Sequence, residues 1–290
     1  MKSGQGRGGT AAPVQNALTR QVDALQQRQQ GRQTEIQRQV DEGAARPRQM
    51  SLFPDDARAI PNYLARTPLF SPVRPGRRKR RENDLLASPK GFEIRFSGEQ
   101  LDQSDCDVFM QLVHGARGWT LGEPIELNRA DFLAQIGRAD GGKNYEWLGS
   151  VFRRLNGARV HVESERYRVN MALVSKTMED KQTGVVSVVL DPDIVKMFSG
   201  SEYSLVDWQK RKMLEKRVDL AKWLHNFTSS HEAGLQRWMI SSLREWSGYA
   251  SPLRKFREAL TEALAELERV EILKGVAFYD RETKVRWTRV

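Results

Sequence analysis

Cysteine is almost absent from this 290-residue chain: there is one, Cys106. A single thiol cannot close an intramolecular disulfide, which fits a reducing compartment, and with no His pattern nearby it makes no case for a nucleophile. Its expected place is a helix start or the core. Long apolar runs are missing too. No stretch approaches the roughly 20 residues that span a bilayer, and the opening MKSGQGRGGT lacks the apolar core of a signal peptide. These absences lead to the expectation of a soluble, cytoplasmic chain with no membrane partner. Histidine is scarce, and His114, His161, His225 and His231 show no metal-ligand spacing. A nicking enzyme would need a paired-His metal motif and an active Tyr, which His161-Val162-Glu163 does not supply. The phosphate-cradling loop G-x-x-x-x-G-K-[ST] is missed by one letter at residues 137–144. Asn144 has no hydroxyl to place on Mg²⁺, and residues 131–136 before it read as a helix where such a loop follows a strand. The expectation is a protein that is not an enzyme and holds no metal and no cofactor.

What is present supports real cores: 39% hydrophobic residues and seven Trp, in a length that suits about two domains. The formal charge of +10 favours a polyanionic partner without choosing between nucleic acid and anionic lipid. Residues 1–48, rich in Gln, Arg and Gly, can bury too little surface to offset the entropy of ordering, so a disordered tail is expected, with a weak coiled-coil helix as the alternative. Residues 49–91 contain Pro54, Pro61, Pro68, Pro72, Pro75 and Pro89 and read as a flexible linker. Within it, residues 74–81 (RPGRRKRR) carry six positive charges. That block reads as a salt-sensitive, sequence-blind phosphate contact, as a solvated charged linker, or as an import signal.

The folded part is expected from residue 92. Phe92, Ile94 and Phe96 alternate as an edge strand would, residues 101–117 read as a helix, and 124–127 as a short strand. The organising stretch is 129–162, because it occurs again at 240–272. Phe132, Leu133 and Ile136 end at Gly137 and a polar turn; Leu148, Val151, Phe152 and Leu155 then follow at helical spacing. Leu148, Phe152, Leu155 and Val160 match Leu260, Leu264, Leu267 and Ile272 at a constant offset of 112. Short helix, turn, longer helix and a strand pair is the order of a winged helix-turn-helix. The expected fold is therefore α+β, with two tandem winged-helix domains, 92–200 and 201–290, behind the tail and linker. Residues 166–176 and 183–190 are read as the strands of a wing and its supporting sheet. In the second domain a helix is expected over 218–227 and a closing pair over 276–279 and 284–287.

If the apolar stripes face inward, Lys143, Asn144, Trp147, Ser150, Arg153 and Arg154 line the outer face of the first long helix, with Arg138 in the turn before it. The counterpart face shows Ser251, Arg254, Lys255, Arg257 and Thr261, complicated by Glu258 and Glu262. Arg and Lys bond guanine edges or phosphates, and Asn reads adenine bidentately, so the chemistry suits a major groove. Arg166, Arg168, Lys284 and Arg286 fall on the expected wings, as phosphate contacts or as plain solvated charge.

Several ordered stretches resemble the TrfA family of plasmid replication initiators. Gln49-Met50-Ser51-Leu52-Phe53 is similar to Q-L-S-L-F, the pentapeptide with which bacterial proteins dock on the sliding clamp. Residues 57–62 and 65–70 resemble the family's MRAMPN and ARSALF, residues 121–125 its I-G-E-P-I, and Phe227 to His231 its F-S-S-H; residues 195–203 carry a further match. The resemblance implies a protein that binds double-stranded origin repeats (iterons), with single-stranded AT-rich DNA as a further ligand. It implies opening of the origin, recruitment of host DnaA, the replicative helicase and the clamp, and a monomer-dimer equilibrium in a bacterial cytoplasm. In the clamp contact, Leu52 and Phe53 would fill an apolar pocket while Gln49 bonds at its rim. A winged-helix repressor acting on an operator is the alternative, and it has no reason to carry a clamp peptide.

Overall fold

The computed structural model describes residues 53–73, 76–88, 93–120, 122–163, 168–180, 182–183, 185–198, 202–215 and 218–290. All of these belong to one compact unit, Arg48–Val290. The expected tail, the start of the pentapeptide, Phe92 and Arg166 lie outside the described residues.

The segment expected as a flexible linker is folded wherever it is described. Strand β1 (Ala57–Pro61) is buried along its whole length and runs antiparallel to β11 (Tyr203–Asp207). A strand buried on both faces has no alternation, and its prolines stand where a strand ends or a turn begins, which is why composition misread it. After the short helix α1 (Asn62–Ala65), Arg66 donates to Ser230 Oγ at 3.0 Å, and the Trp223 indole donates to the Thr67 carbonyl at 3.1 Å. Pro68 lies against Gly248, where an added Cβ would meet the Pro68 Cβ at 2.6 Å and where φ is +69°. Strand β2 (Phe70–Ser71) pairs in parallel with β5 (Leu101–Asp102). The basic block leads into β3 (Arg80–Leu85), paired with β4 (Glu93–Glu99). Strand β4, expected at an edge, is flanked on its other side by β7 (Arg159–Glu163), which in turn pairs with β8 (Arg168–Ala172). Ile94, Phe96, Val160, Val162, Val169 and Met171 turn one face of this four-stranded sheet into the core.

Helix α2 (Gln103–Gly115) starts at a reciprocal cap: the Asp102 carboxylate accepts from the Ser104 and Asp105 amides at 2.9 and 3.0 Å, and Asp105 accepts from the Asp102 amide at 2.9 Å. Strand β6 (Ile125–Leu127), helix α3 (Arg129–Gln135, capped by Asn128) and helix α4 (Gly142–Gly157) follow, and β7 and β8 come next. Strands β9 (Lys176–Glu179) and β10 (Val186–Val189) and a 3-10 helix (Pro192–Phe198) complete the first half. Beyond β11 come α5 (Trp208–Met213), α6 (Asp219–Ser229), β12 (Gly234–Met239), α7 (Ile240–Ser247), α8 (Leu253–Arg269), β13 (Leu273–Tyr279) and β14 (Lys284–Arg289).

The duplication holds for the helices. Leu148, Phe152 and Leu155 of α4 and Leu260, Leu264 and Leu267 of α8 are all buried, each set in its own core. It does not hold for the strands that follow. Strand β13 pairs with β14 in a sheet ordered β12-β14-β13, and the sheet with the same order in the first half is β6-β10-β9. The counterparts of β13 and β14 are thus β9 and β10, with β7 and β8 interposed and given to the four-stranded sheet. The residues expected to join two wing strands, 177–182, themselves include most of β9. The core also divides later than expected. One cluster runs from Phe53 to Trp208, so it takes in the linker segment and β11, and the other runs from Leu214 to Trp287.

A buried polar group joins the two halves. Arg211, only 1% exposed, donates to Asp107 at 2.9 Å, Gln103 at 2.9 Å and Asn226 at 3.2 Å, and Lys222 pairs with the same Asp107. Burial alone would raise the Asp107 carboxyl, but the Arg211 and Lys222 charges overcome it and hold it below the usual carboxylate range. Cys106 sits next to this group, fully buried, and burial pushes its thiol up to about 12, which leaves it inert. In the second core Phe227 stacks on Trp223 at 5.0 Å and meets Trp238 at 4.9 Å, and His231 Nδ1 lies 2.7 Å from the Phe227 carbonyl. The stretch that resembles F-S-S-H is thereby a packing element.

Candidate nucleic-acid interface

Helix α4 has no side-chain cap; a glycine turn, with Gly137 at φ +73° and Gly141 at +141°, delivers it. The turn is stiffened by its own side chains. The Arg138 guanidinium lies 3.5 Å over the Trp147 ring, and Asn144 Nδ2 donates to the Ala139 carbonyl at 2.7 Å. Tyr145 bonds Asp140, while Arg129 lies 4.5 Å over the Tyr145 ring and 3.1 Å from Glu179 of β9. Burial lowers the Arg138 pKa. Because α3 precedes this turn, the near-miss phosphate loop has no strand behind it.

Of the face expected on α4, two more members are engaged besides Asn144 and Trp147. Arg154 grips Asp105, Nη2 at 2.7 Å and Nε at 3.1 Å, with 9% of its side chain exposed, so it anchors α4 to α2 and is not presented outward. The Ser150 hydroxyl donates to the Trp147 carbonyl at 2.6 Å. Lys143 and Arg153 remain exposed, with Asn144 and Trp147 half-buried beside them. Sequence reasoning put Arg80 in a basic linker block and did not place it beside this face. On β3 it shares a cleft of about 380 Å³ with Ser150, Arg153 and Gly157 of α4. The basic run is therefore divided by role. Arg78 turns inward to Asp102 and Asp105, Arg81 pairs with Asp84 at 2.9 Å, and Arg77, Lys79 and Arg80 stay exposed. Asp102 is raised, by burial first and by the Asp105 charge next. On the opposite flank of α4, a cleft of about 670 Å³ separates Tyr145 and Arg153 from Met178 and Glu179 of β9.

Helix α8 presents its cations openly. Arg254 and Lys255 are 73% and 55% exposed and share Glu258 at 2.6 and 2.8 Å. Arg257 reaches Glu282 at 3.4 Å, which brings the β13–β14 turn alongside the helix. Asp280, Arg281 and Glu282 all hold positive φ in that turn, and Arg281, unmarked by sequence, is exposed at its tip. Three successive non-glycine residues in that region store strain of about 1 kcal/mol or more each. The Thr261 hydroxyl donates to the Arg257 carbonyl at 3.0 Å, and Ser251 is half-buried, its carbonyl accepting from Arg244 at 2.8 Å.

The expected wing cations that are described divide between two sheets, Arg168 away from the expected wing and Lys284 and Arg286 on the expected closing hairpin. Arg168 lies on β8 of the four-stranded sheet, bonded to Glu163. Lys284 and Arg286 alternate with buried Val285 and Trp287, so they lie on the sheet face turned away from the core and α8, and Lys284 is held by Asp280 at 2.8 Å. Phe53, expected to fill a clamp pocket, is instead in the core, 5.2 Å from Tyr203 and 5.8 Å from Phe198, and its carbonyl accepts from Arg117. Docking on a clamp would require it to leave.

Two turn-linked helix pairs, each with exposed cations on its longer helix, make this a mixed α/β protein with a repeated helix pair. The family model described as TrfA protein matches residues 13–282, and the chain belongs to that family. It is 27% identical over 237 residues to the plasmid replication initiator protein TrfA of Escherichia coli, a match covering 76% of this chain and 60% of that protein's length. Among solved structures it is similar to domains 2 and 3 of RctB, with a TM-score of 0.51 at 12% identity over 76% of this chain and 94% of that one. The Pi initiator protein in complex with iteron DNA gives a TM-score of 0.49 at 11% identity, covering 63% and 90% of the two chains. Among the described residues no helix is long and apolar enough to cross a membrane.

Proposed function

We propose that this protein is a non-enzymatic plasmid replication initiator whose two modules are winged-helix domains that read repeated sites in origin DNA. The observation that carries the reading is the pairing of two exposed cationic helix faces, Lys143 and Arg153 on α4 and Arg254 and Lys255 on α8, in a chain of this family. Arg80 and Arg281 extend the two faces. Phosphates displace Glu258 from its two partners at small cost, because exposed ion pairs contribute about 0–1 kcal/mol. In this reading the protein acts in a bacterial cytoplasm, opens the adjacent AT-rich duplex and recruits DnaA, helicase and clamp, and a monomer-dimer balance controls it.

The test is footprinting and anisotropy on DNA flanking the coding region. Periodic protected repeats are expected, with binding that falls steeply as salt rises. Lys143→Ala, Arg153→Ala and Arg254→Ala should each weaken repeat binding by about 1–3 kcal/mol for a base contact, or lower the salt slope by about one for a phosphate contact. Unchanged affinity in all three would sink the assignment of both faces. For the clamp, Leu52→Ala should abolish retention on immobilised clamp, and equal retention would reject the contact.

A further inference from the structure

Strand β12 inverts the pattern expected of a strand that covers a core. Its polar Gln236 is buried and accepts from the Trp287 indole at 2.9 Å, whereas Leu235 and Met239 are 51% and 46% exposed. Between them the exposed Arg237 stands directly opposite the exposed Arg286 of β14. Like charges at opposed positions destabilise a sheet. Neither guanidinium has a carboxylate partner among the described residues. Strand β12 is also an edge: the sheet order is β12-β14-β13, and among the described residues its backbone pairs with β14 alone. A six-residue edge showing leucine, arginine and methionine is a template for pairing that proteins usually blunt.

We propose that β12 is the docking strand for an extended acidic segment of a partner protein. The segment adds beside β12 as a fourth strand, sets a carboxylate against Arg237 and Arg286, and lays apolar side chains over Leu235 and Met239. Main-chain bonds supply affinity in this mode and the alternate side chains supply selection. The carboxylate also relieves the arginine-arginine repulsion. Charge complementarity favours an acidic partner. The apolar pair favours a protein over a nucleic acid, since neither Leu235 nor Met239 offers a plane on which a base could stack. The helix face given to DNA lies elsewhere: α8 packs against β13, the opposite edge of the sheet. The equivalent strand of the first module, β6, has three residues with Glu126 exposed among them and offers no such row.

The experiment uses the full chain and a fluorescent synthetic peptide whose alternate positions are leucine, glutamate and leucine with threonines between, and a control with lysine for glutamate. Anisotropy should show binding of the glutamate peptide to the wild type and roughly tenfold weaker binding to the double variant Arg237→Ala with Arg286→Ala. The peptide should also slow amide hydrogen exchange across β12. The double variant should unfold at no lower urea concentration than the wild type, because the substitution removes a repulsion. Absence of peptide binding to the wild type overturns the proposal, as does equal binding to the double variant. A double variant that binds duplex DNA roughly tenfold more weakly than wild type would assign the arginines to DNA and overturn it too.

Discussion

The two long helices share a buried stripe but fix the polar side chains around their outer faces by opposite means. On α4 the side chains are tied into the protein: Arg154 to Asp105 of α2, Arg138 stacked on Trp147, Asn144 bonded to its own turn. On α8 the cations lean on exposed glutamates of the same helix or the nearby hairpin turn. A face held by buried partners is fixed before any ligand arrives, and a face held by exposed pairs can rearrange around one. In the proposed reading, the first module is thus the more preorganised reader and the second the more adaptable one.

The largest effect that would break this comparison comes from Arg154. Removing one partner of a buried pair costs about 3–5 kcal/mol when the other charge is left uncompensated, and Arg78, 3.6 Å from Asp105, holds the loss to the low end of that range. Arg154→Ala should lower the urea midpoint by the equivalent of that loss; a midpoint within experimental error of wild type would show that the pair does not anchor α4. The two turns give the next contrast. Gly248→Ala combines a left-handed conformation with a 2.6 Å approach to Pro68, so it should cost more than about 2 kcal/mol. Gly137→Ala has the same backbone demand but meets only the Lys212 side chain at 3.8 Å, so it should cost about 1–2 kcal/mol. Equal losses in chemical denaturation would mean that the Pro68 contact contributes nothing.

Buried histidines make both modules sensitive to acid. Burial pushes His231 of the second module and His114 of the first down to about 4, and His225 of the second well below its ordinary value. The unfolded chain binds these protons near pH 6.5 and the folded chain does not, so stability is full above that pH and is lost as pH falls toward 4. Each histidine adds a slope of at most about 1.4 kcal/mol per pH unit. Urea midpoints at pH 7, 5.5 and 4.5 should fall in that order. A midpoint independent of pH would contradict the buried neutral state.

The sequence made the helices legible because burial of one helical face leaves a period that needs no partner to be seen. Leu148, Phe152 and Leu155 announce themselves in this way. It could not show that Arg154 was taken, because its carboxylate comes from a helix 49 positions earlier in the chain. The β1–β11 ladder was hidden for a similar reason: each strand is completed by residues far along the chain, and a doubly buried strand has no alternation. Strand β12 was missed because its alternation is inverted, with Gln236 inside and Leu235 outside. The family resemblance pointed to function, but the misplaced wing and the buried Phe53 show that position on a motif does not fix exposure.

The smallest expected effect is the sharpest test of the contrast. Arg254 is 73% exposed and its pair with Glu258 is solvent-screened, so Arg254→Ala should change stability by less than about 0.5 kcal/mol. Its repeat binding should nonetheless weaken, because the cation that reaches DNA is lost. Arg154→Ala should do the reverse, losing stability, with any loss of binding recovered under conditions where the variant is fully folded. If Arg254→Ala proves as destabilising as Arg154→Ala, the second face is built as rigidly as the first. The division into a fixed and an adaptable reader then fails, although the proposal that both helices face DNA would stand.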